Sequence, residues 1–79
     1  MFKDYYAILN IPVTASQQEI KSAYRRQASK WHPDRNPGID TTEIIQLINE
    51  AYLILKDAEA KERYDKEYIR FKQSATNNN

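Results

Sequence analysis

Three side chains near the middle of the chain are of the types that hydrolytic enzymes use. Ser29, His32 and Asp34 could serve as nucleophile, general base and orienting acid. They are close neighbours in sequence, however, at the predicted end of a helix in a chain of 79 residues. Such a chain is too small for a deep, dry pocket with an oxyanion hole. The residue types alone therefore give little support for a hydrolase.

His32 and Asp34 are also common metal ligands. The chain has one His and no Cys, so no second imidazole or thiolate can complete a zinc site around this pair. We predict neither a metal ion nor another cofactor.

The segment that holds these residues, KWHPDRNPG, spans Lys30–Gly38 and contains two of the three prolines and the only glycine. One interpretation is purely structural: the prolines stiffen a hairpin corner, the glycine turns it, and His32 packs on Trp31. A second interpretation is a recognition loop that directly follows a basic helix. A rigid exposed loop has little conformational entropy to lose on binding.

Composition indicates one small domain. The absence of Cys fits a cytoplasmic protein. No apolar run approaches the roughly 18 residues of a membrane-spanning helix, and the start, MFKDYYAILN, lacks the features of a signal peptide. The net charge is +1, but residues 16–36 contain five Lys or Arg against two acids, a net of +3. This segment is a candidate surface for an acidic partner.

Two helices are predicted before the loop. DYYAIL forms a short one that ends at Asn10, a residue type that tolerates the left-handed conformation. SQQEIKSAYRRQASKW forms a longer one, with Ser16 and Glu19 as a capping box. This second helix should end at Trp31 or His32, because the following proline disfavours helical geometry. Its apolar stripe consists of Ile20, Ala23, Tyr24, Ala28 and Trp31.

Two more helices are predicted after the loop. TTEIIQLINEAYLILKD would be capped by Thr41 or Thr42, and AEAKERYDKEYIRFK would be capped by Asp57 and continue past Lys72. Residues 73–79 are polar and should fray. The expected fold class is all-α, with the two long middle helices packed antiparallel about a nine-residue loop.

Four stretches, in this order and spacing, resemble the J domain of the DnaJ-like (heat-shock protein 40 type) co-chaperones: DYYAIL, ASQQEIKSAYRRQASKWHPDRNPG, INEAYLIL and ERYD. The resemblance extends from about Lys3 to Asp65. It implies a four-helix fold whose second and third helices form an antiparallel hairpin with His-Pro-Asp at the tip. We accordingly expect a J domain over residues 1–72, with an extended last helix, and a disordered polar tail over 73–79.

The resemblance also implies a function. A J domain of this kind would bind the ATPase domain of a DnaK-type (heat-shock protein 70) chaperone and stimulate its ATP hydrolysis, so the chain would not itself be an enzyme. We expect a monomer that binds neither membrane nor nucleic acid. The implied partner-binding residues are the triad His32, Pro33 and Asp34, the basic face Lys21, Arg25, Arg26 and Lys30, and the supporting residues Tyr24, Arg35 and Asn36.

Several positions depart from the family pattern. Gln27 stands where an apolar residue often faces the core, so it should either alter the packing or reach solvent at the rim. Leu47 and Leu53 occupy positions that are usually polar in the family. They are either scattered exposed leucines or, as we favour, contacts of the last helix through Tyr68 or Phe71.

Two other functions stay open at this point. A small nucleic-acid-binding domain could place its basic helix in a major groove. The pI near 7.9 and the acidic Asp34 both argue against it. A plain structural module is the other alternative, and it predicts that Asp34→Asn affects stability alone. The sequence fits both a fragment of a longer co-chaperone and a domain acting alone.

Overall fold

A computed structural model describes residues 2–76, and its side chains through Gln73. The described chain forms four α-helices, α1 (Tyr5–Leu9), α2 (Gln17–Lys30), α3 (Thr42–Leu55) and α4 (Ala58–Thr76), with a short 3-10 helix, Pro33–Arg35, between α2 and α3. No strand is present between residues 2 and 76, and the predicted all-α, four-helix fold is confirmed. Helix α4 runs past Lys72, as expected, and includes the first four residues of the polar segment 73–79. Residues 77–79 lie outside the described residues.

Local signals set the ends of the first two helices. Asn10 closes α1 in the left-handed conformation, with φ 59° and ψ 51°. At the start of α2, the Ser16 hydroxyl accepts from the Glu19 N–H at 3.1 Å, and the Glu19 carboxylate accepts from the Ser16 N–H at 2.8 Å. The predicted capping box is therefore confirmed. Hydrogen bonds from the Ser16 backbone N–H and from the Ser16 side chain to the Glu19 carboxylate lower the pKa of Glu19. Helix α2 ends at Lys30 with Trp31 as its cap, and Gln27 is half-buried at its rim.

The start of α3 differs from the prediction. Thr41 occupies the cap position but makes no side-chain capping hydrogen bond, and Thr42 lies inside the helix. Instead the Asp40 carboxylate accepts from the Thr42 N–H at 3.0 Å. Hydrogen bonding to the Thr42 side chain, and to this N–H, lowers the pKa of Asp40. Thr41 has φ −98° and ψ 9° rather than the extended geometry of a capping residue, and it is buried at 3% exposure. The cap belongs to Asp40, as in an Asx turn.

Helices α2 and α3 pack antiparallel, as predicted. The Gln17 side-chain amide at the start of α2 donates to the Leu55 carbonyl at the end of α3, at 3.0 Å. The Tyr24 hydroxyl, in the middle of α2, donates to Asn49 Oδ1 in the middle of α3, also at 3.0 Å. The start of α2 therefore lies beside the end of α3, and the middles of the two helices lie side by side. The two helices run in opposite directions, and the connecting loop lies at the tip of a hairpin.

A small apolar core holds α1, α2 and α3 together. It draws on every one of these helices and on the loop before α2. Burying one Leu or Ile side chain in such a core contributes about 1.5–3 kcal/mol. The buried apolar residues are Tyr6, Leu9, Ala15, Ile20, Ala23, Ile48, Ala51 and Leu55.

Helix α4 attaches through aromatic contacts to the first residues of the chain. The rings of Phe2 and Phe71 stack with centroids 4.4 Å apart, and those of Tyr5 and Tyr64 with centroids 4.7 Å apart. The Tyr64 hydroxyl donates to the Lys3 carbonyl at 2.6 Å. The start of α4 is capped as predicted, because Asp57 accepts from the Glu59 N–H at 3.2 Å.

These contacts decide one of the open questions about α3. Tyr68 and Phe71 direct their rings to the N-terminal segment, where Phe71 stacks on Phe2. Leu53 is 58% exposed, so the expected contact of Leu53 with α4 is wrong and Leu53 is an exposed leucine. Leu47 is half-buried, and its contact with α4 stays a prediction.

Candidate functional site

The loop at the hairpin tip owes its shape to His32. This residue is extended, with φ −60° and ψ 139°, as expected for a residue before proline. Pro33 then begins the 3-10 helix, where its missing N–H leaves no partner unsatisfied. His32 Nδ1 accepts a hydrogen bond from the Asp34 N–H at 3.2 Å. The imidazole thus caps the turn that carries Asp34.

The carboxylate of Asp34 lies in solvent. Its side chain is 92% exposed, and Oδ2 lies 3.8 Å from His32 Nδ1. That nitrogen accepts a hydrogen bond from the Asp34 N–H, so the loop uses it as an acceptor for the backbone. Asp34 therefore presents an exposed acceptor on a backbone that is fixed from within.

Asn36 closes the loop from the other side. Its side-chain amide donates to the Lys30 carbonyl at 2.9 Å and to the His32 carbonyl at 2.8 Å. One of these carbonyls ends α2 and the other precedes the proline, so a single amide ties the helix end to the turn. Asn36 was predicted as a supporting partner contact, and the structure shows that its amide hydrogens bind within the loop.

The predicted basic residues line two open clefts that share Arg25 and Ser22. One cleft also contains Arg26, Lys30 and Arg35, and the other contains Lys21. All five cationic residues are exposed. Within the described chain none of the five forms an ion pair with an acid. The shared residues make the two clefts one continuous basic surface along α2, which reaches Arg35 in the loop beside Asp34. These five cations are the predicted basic face, Lys21, Arg25, Arg26 and Lys30, and the predicted supporting residue Arg35.

Tyr24 is a bridge between helices. Besides its hydrogen bond to Asn49, its ring stacks on Tyr52 with centroids 4.2 Å apart and an angle of 10° between the planes. The hydroxyl and ring are thus both engaged by α3, and Tyr24 is half-buried. Tyr24 therefore joins α2 to α3, and its predicted contact with a partner stays a prediction.

Two residues of α3 that the sequence reading did not include lie in the same basic surface. Tyr52 and Lys56 line the cleft that contains Lys21 and Arg25. The Lys56 ammonium lies 5.5 Å from the centre of the Tyr52 ring, a cation–π contact. The sequence contains one indication that these two residues act together, because positions 52 and 56 are four apart and therefore share one face of α3. Which side of α2 that face would meet depends on the packing of the two helices.

The residues with chemistry-bearing side chains are divided between the basic cleft and the loop. Ser29 lines the basic cleft with Arg25 and Arg35, whereas His32 Nδ1 is engaged by the Asp34 N–H. In residues 2–76, no three His, Cys, Asp or Glu side chains are grouped so that they could hold a metal ion. The loop and the basic clefts together form one exposed, charged surface.

Comparison with known families agrees with this geometry. The sequence model of the family described as DnaJ domain matches residues 4–65. The chain belongs to the DnaJ domain family. DnaJ domains belong to co-chaperones rather than catalytic proteins, and the structure described above is a small J-domain fold.

Several curated proteins contain a similar J domain. The chain is 53% identical over 64 residues to a chaperone protein DnaJ of Caldicellulosiruptor saccharolyticus. The match covers 80% of this chain and 16% of that protein. It is 58% identical over 64 residues to a chaperone protein DnaJ of Francisella tularensis. The match covers 80% of this chain and 17% of that protein. It is 51% identical over 70 residues to an uncharacterized J domain-containing protein, C63.13, of Schizosaccharomyces pombe. The match covers 85% of this chain and 34% of that protein.

These J-domain relatives are longer proteins, and the chain spans between about a sixth and a third of their length. The names of the DnaJ relatives place the J domain in chaperone proteins. Across the described residues, no helix combines the length and the apolar character that a membrane span requires.

Proposed function

We propose that this J domain binds the ATPase domain of a DnaK-type chaperone and stimulates its ATP hydrolysis. The observation that carries the proposal is the position of Asp34, a carboxylate that is 92% exposed on a loop held by His32 and Asn36. It lies at the end of a continuous basic surface whose cations form no ion pair within the described part of the chain. We further propose that residues 1–72, which end within α4, form the acting unit, as a monomer in the cytoplasm.

The two parts of the surface have different roles in this proposal. The cations of α2 attract an acidic face of the partner over a distance, which raises the association rate and makes it depend on salt. Asp34 then makes the specific contact, because a carboxylate on a rigid loop can accept two parallel hydrogen bonds from one Arg of the partner. Attraction therefore comes from many charges, and specificity from one.

The energies fit this division. Removing one member of a buried, hydrogen-bonded charge pair costs about 2–5 kcal/mol. A micromolar complex has a binding free energy of only about 8 kcal/mol. Loss of the Asp34 contact would therefore weaken the complex by at least about thirtyfold. Loss of one exposed cation would cost about 1 kcal/mol or less.

The test is ATP turnover by a purified DnaK-type chaperone, with the wild type, with Asp34→Asn and with Glu62→Gln. Glu62 is an exposed carboxylate on α4, outside the basic surface, so its amide variant is a matched control. We expect stimulation by the wild type and by Glu62→Gln, and none by Asp34→Asn, with equal helicity in all three. Full stimulation by Asp34→Asn would refute the site.

The same proteins separate the nucleic-acid alternative. Removal of the Asp34 negative charge should strengthen any binding of duplex DNA by the basic helix, because an acid beside the phosphates repels them. DNA binding that increases in Asp34→Asn, together with a wild type that does not stimulate ATP turnover, would favour that alternative.

A further inference from the structure

The cleft between α2 and the end of α3 carries positive charge from both helices. It is an open cleft of about 630 Å³, and its lining includes Lys21 and Arg25 from α2 and Lys56 from the end of α3. No acidic residue of the described chain lines it. The electrostatic surface of the hairpin therefore extends beyond α2, across the groove, to a cation that the packing of the two helices brings there.

The positive charges of this cleft have no counter-ion among the side chains that the structure describes. Within residues 2–73, neither Lys21, Arg25 nor Lys56 forms an ion pair with a carboxylate. Three like charges around one cleft repel each other, and the repulsion is relieved when an anion enters. Carboxylates of a partner would therefore gain from all three cations at once.

Lys56 is an exposed residue whose side chain contacts a ring of its own helix. Its ammonium lies over the Tyr52 ring at 5.5 Å, and that ring stacks on Tyr24 at 4.2 Å. Below it, the Gln17 side chain holds the Leu55 carbonyl at 3.0 Å, which ties the end of α3 to the start of α2. A cation held in this way loses less rotamer freedom on binding than a free surface lysine.

We propose that the cleft of Lys21, Arg25 and Lys56 receives an acidic segment of the DnaK-type chaperone, so that Lys56 is a partner contact on α3. This inference rests on the proposed function. An acidic protein segment fits better than a nucleic acid for two reasons. The cleft is continuous, through Arg25, with the surface that ends beside Asp34. The exposed Asp34 carboxylate would repel a phosphate backbone that followed this surface.

The test is the concentration of the domain that gives half-maximal stimulation of the chaperone, for Lys56→Ala and for Lys66→Ala. Lys66 is an exposed lysine of α4 that lies outside the cleft, so it is the matched control. For Lys56→Ala we expect this concentration to rise by about two- to fivefold at low salt. The maximal stimulation should not change, because Asp34 is intact. The difference should shrink as salt is added.

A second variant separates charge from stability. Lys56 is the cap residue at the end of α3, where a cation also favours the helix end. Lys56→Arg keeps the charge and should bind like the wild type, and urea denaturation of all variants checks the fold. Equal weakening by Ala and Arg, or a Lys56→Ala that matches Lys66→Ala, would overturn the role of Lys56. A wild type that fails to stimulate would instead overturn the proposed function.

Discussion

The imidazole of His32 and the backbone of Asp34 are joined by one hydrogen bond, from the Asp34 N–H to His32 Nδ1 at 3.2 Å. The bond joins the two residues into a single unit. The His32 ring caps the 3-10 helix, and the Asp34 carboxylate is exposed to solvent. The relationship explains why a chain with one His places it two residues before an acid.

Replacement of His32 tests this capping role directly. Asn carries an oxygen in the place of Nδ1 and should keep the cap, whereas Leu cannot accept the hydrogen bond. In His32→Leu we expect the Asp34 amide to exchange its hydrogen about two- to tenfold faster, since a net hydrogen bond contributes about 0.5–1.5 kcal/mol. NMR-detected hydrogen exchange measures the effect. Equal exchange rates in His32→Asn and His32→Leu would contradict it.

Asn36 should contribute to stability as well as to loop shape. Asn36→Ala removes the side-chain donor to the Lys30 carbonyl and one of the two donors to the His32 carbonyl, which also accepts from the Arg35 N–H. We expect a loss of about 1–2 kcal/mol in the free energy of unfolding. Urea denaturation is the measurement. Gln46→Ala, at an exposed position of α3, is the control and should change the free energy little. If both variants unfold alike, Asn36 does not hold the loop.

Acid should destabilise the domain through Glu50. This carboxylate accepts hydrogen bonds from the Tyr5 hydroxyl and the Lys3 ammonium, and these bonds lower its pKa below the usual 4.5. Because the folded state holds the proton less tightly, the stabilisation is complete above the unfolded pKa and is lost as pH falls through the lower, folded value.

We therefore expect a steep loss of stability below about pH 4.5 in the wild type and a shallower one in Glu50→Gln. Urea midpoints at a series of pH values provide the comparison. Glu43→Gln, at an exposed position in the first turn of α3, serves as the control. Parallel pH curves for the wild type and Glu50→Gln would show that Glu50 does not contribute.

Alkaline pH should release α4. Burial raises the pKa of Tyr64 from 10.0 to about 12, and burial together with a hydrogen bond to Asp65 raises the pKa of Tyr6 as well. A raised pKa means that the folded state retains the proton, so the stabilisation is complete below pH 10 and is lost as pH rises through the folded values.

We expect unfolding to begin above about pH 10, with the contacts between α4 and the first residues lost early. Circular dichroism with an absorbance titration of the tyrosines measures both events. Tyr64→Phe removes the group that titrates, so its stability should fall less steeply between pH 10 and 12 than that of the wild type. The same slope in both proteins would argue against Tyr64 as a source of the alkaline transition.

Interactions between residues near in sequence were predictable. The Ser16–Glu19 box, the left-handed Asn10 and the Asp57 cap follow from side chains that reach backbone groups within three residues, so the local sequence contains both partners. The cap of α3 was missed although it is equally local. Both Thr and Asp are capping types, and only the backbone angles of Thr41 assign the role to Asp40.

The all-α fold, the hairpin and the exposed tip were also determined by the sequence, because apolar spacing selects which side of each helix faces the core. Contacts across helices were decided only in the tertiary structure. The rotation of α3 about its axis leaves Leu53 in solvent and brings Tyr52 and Lys56 to the basic cleft of α2. That rotation depends on the simultaneous packing of three helices on one core. No single stretch of sequence contains this information.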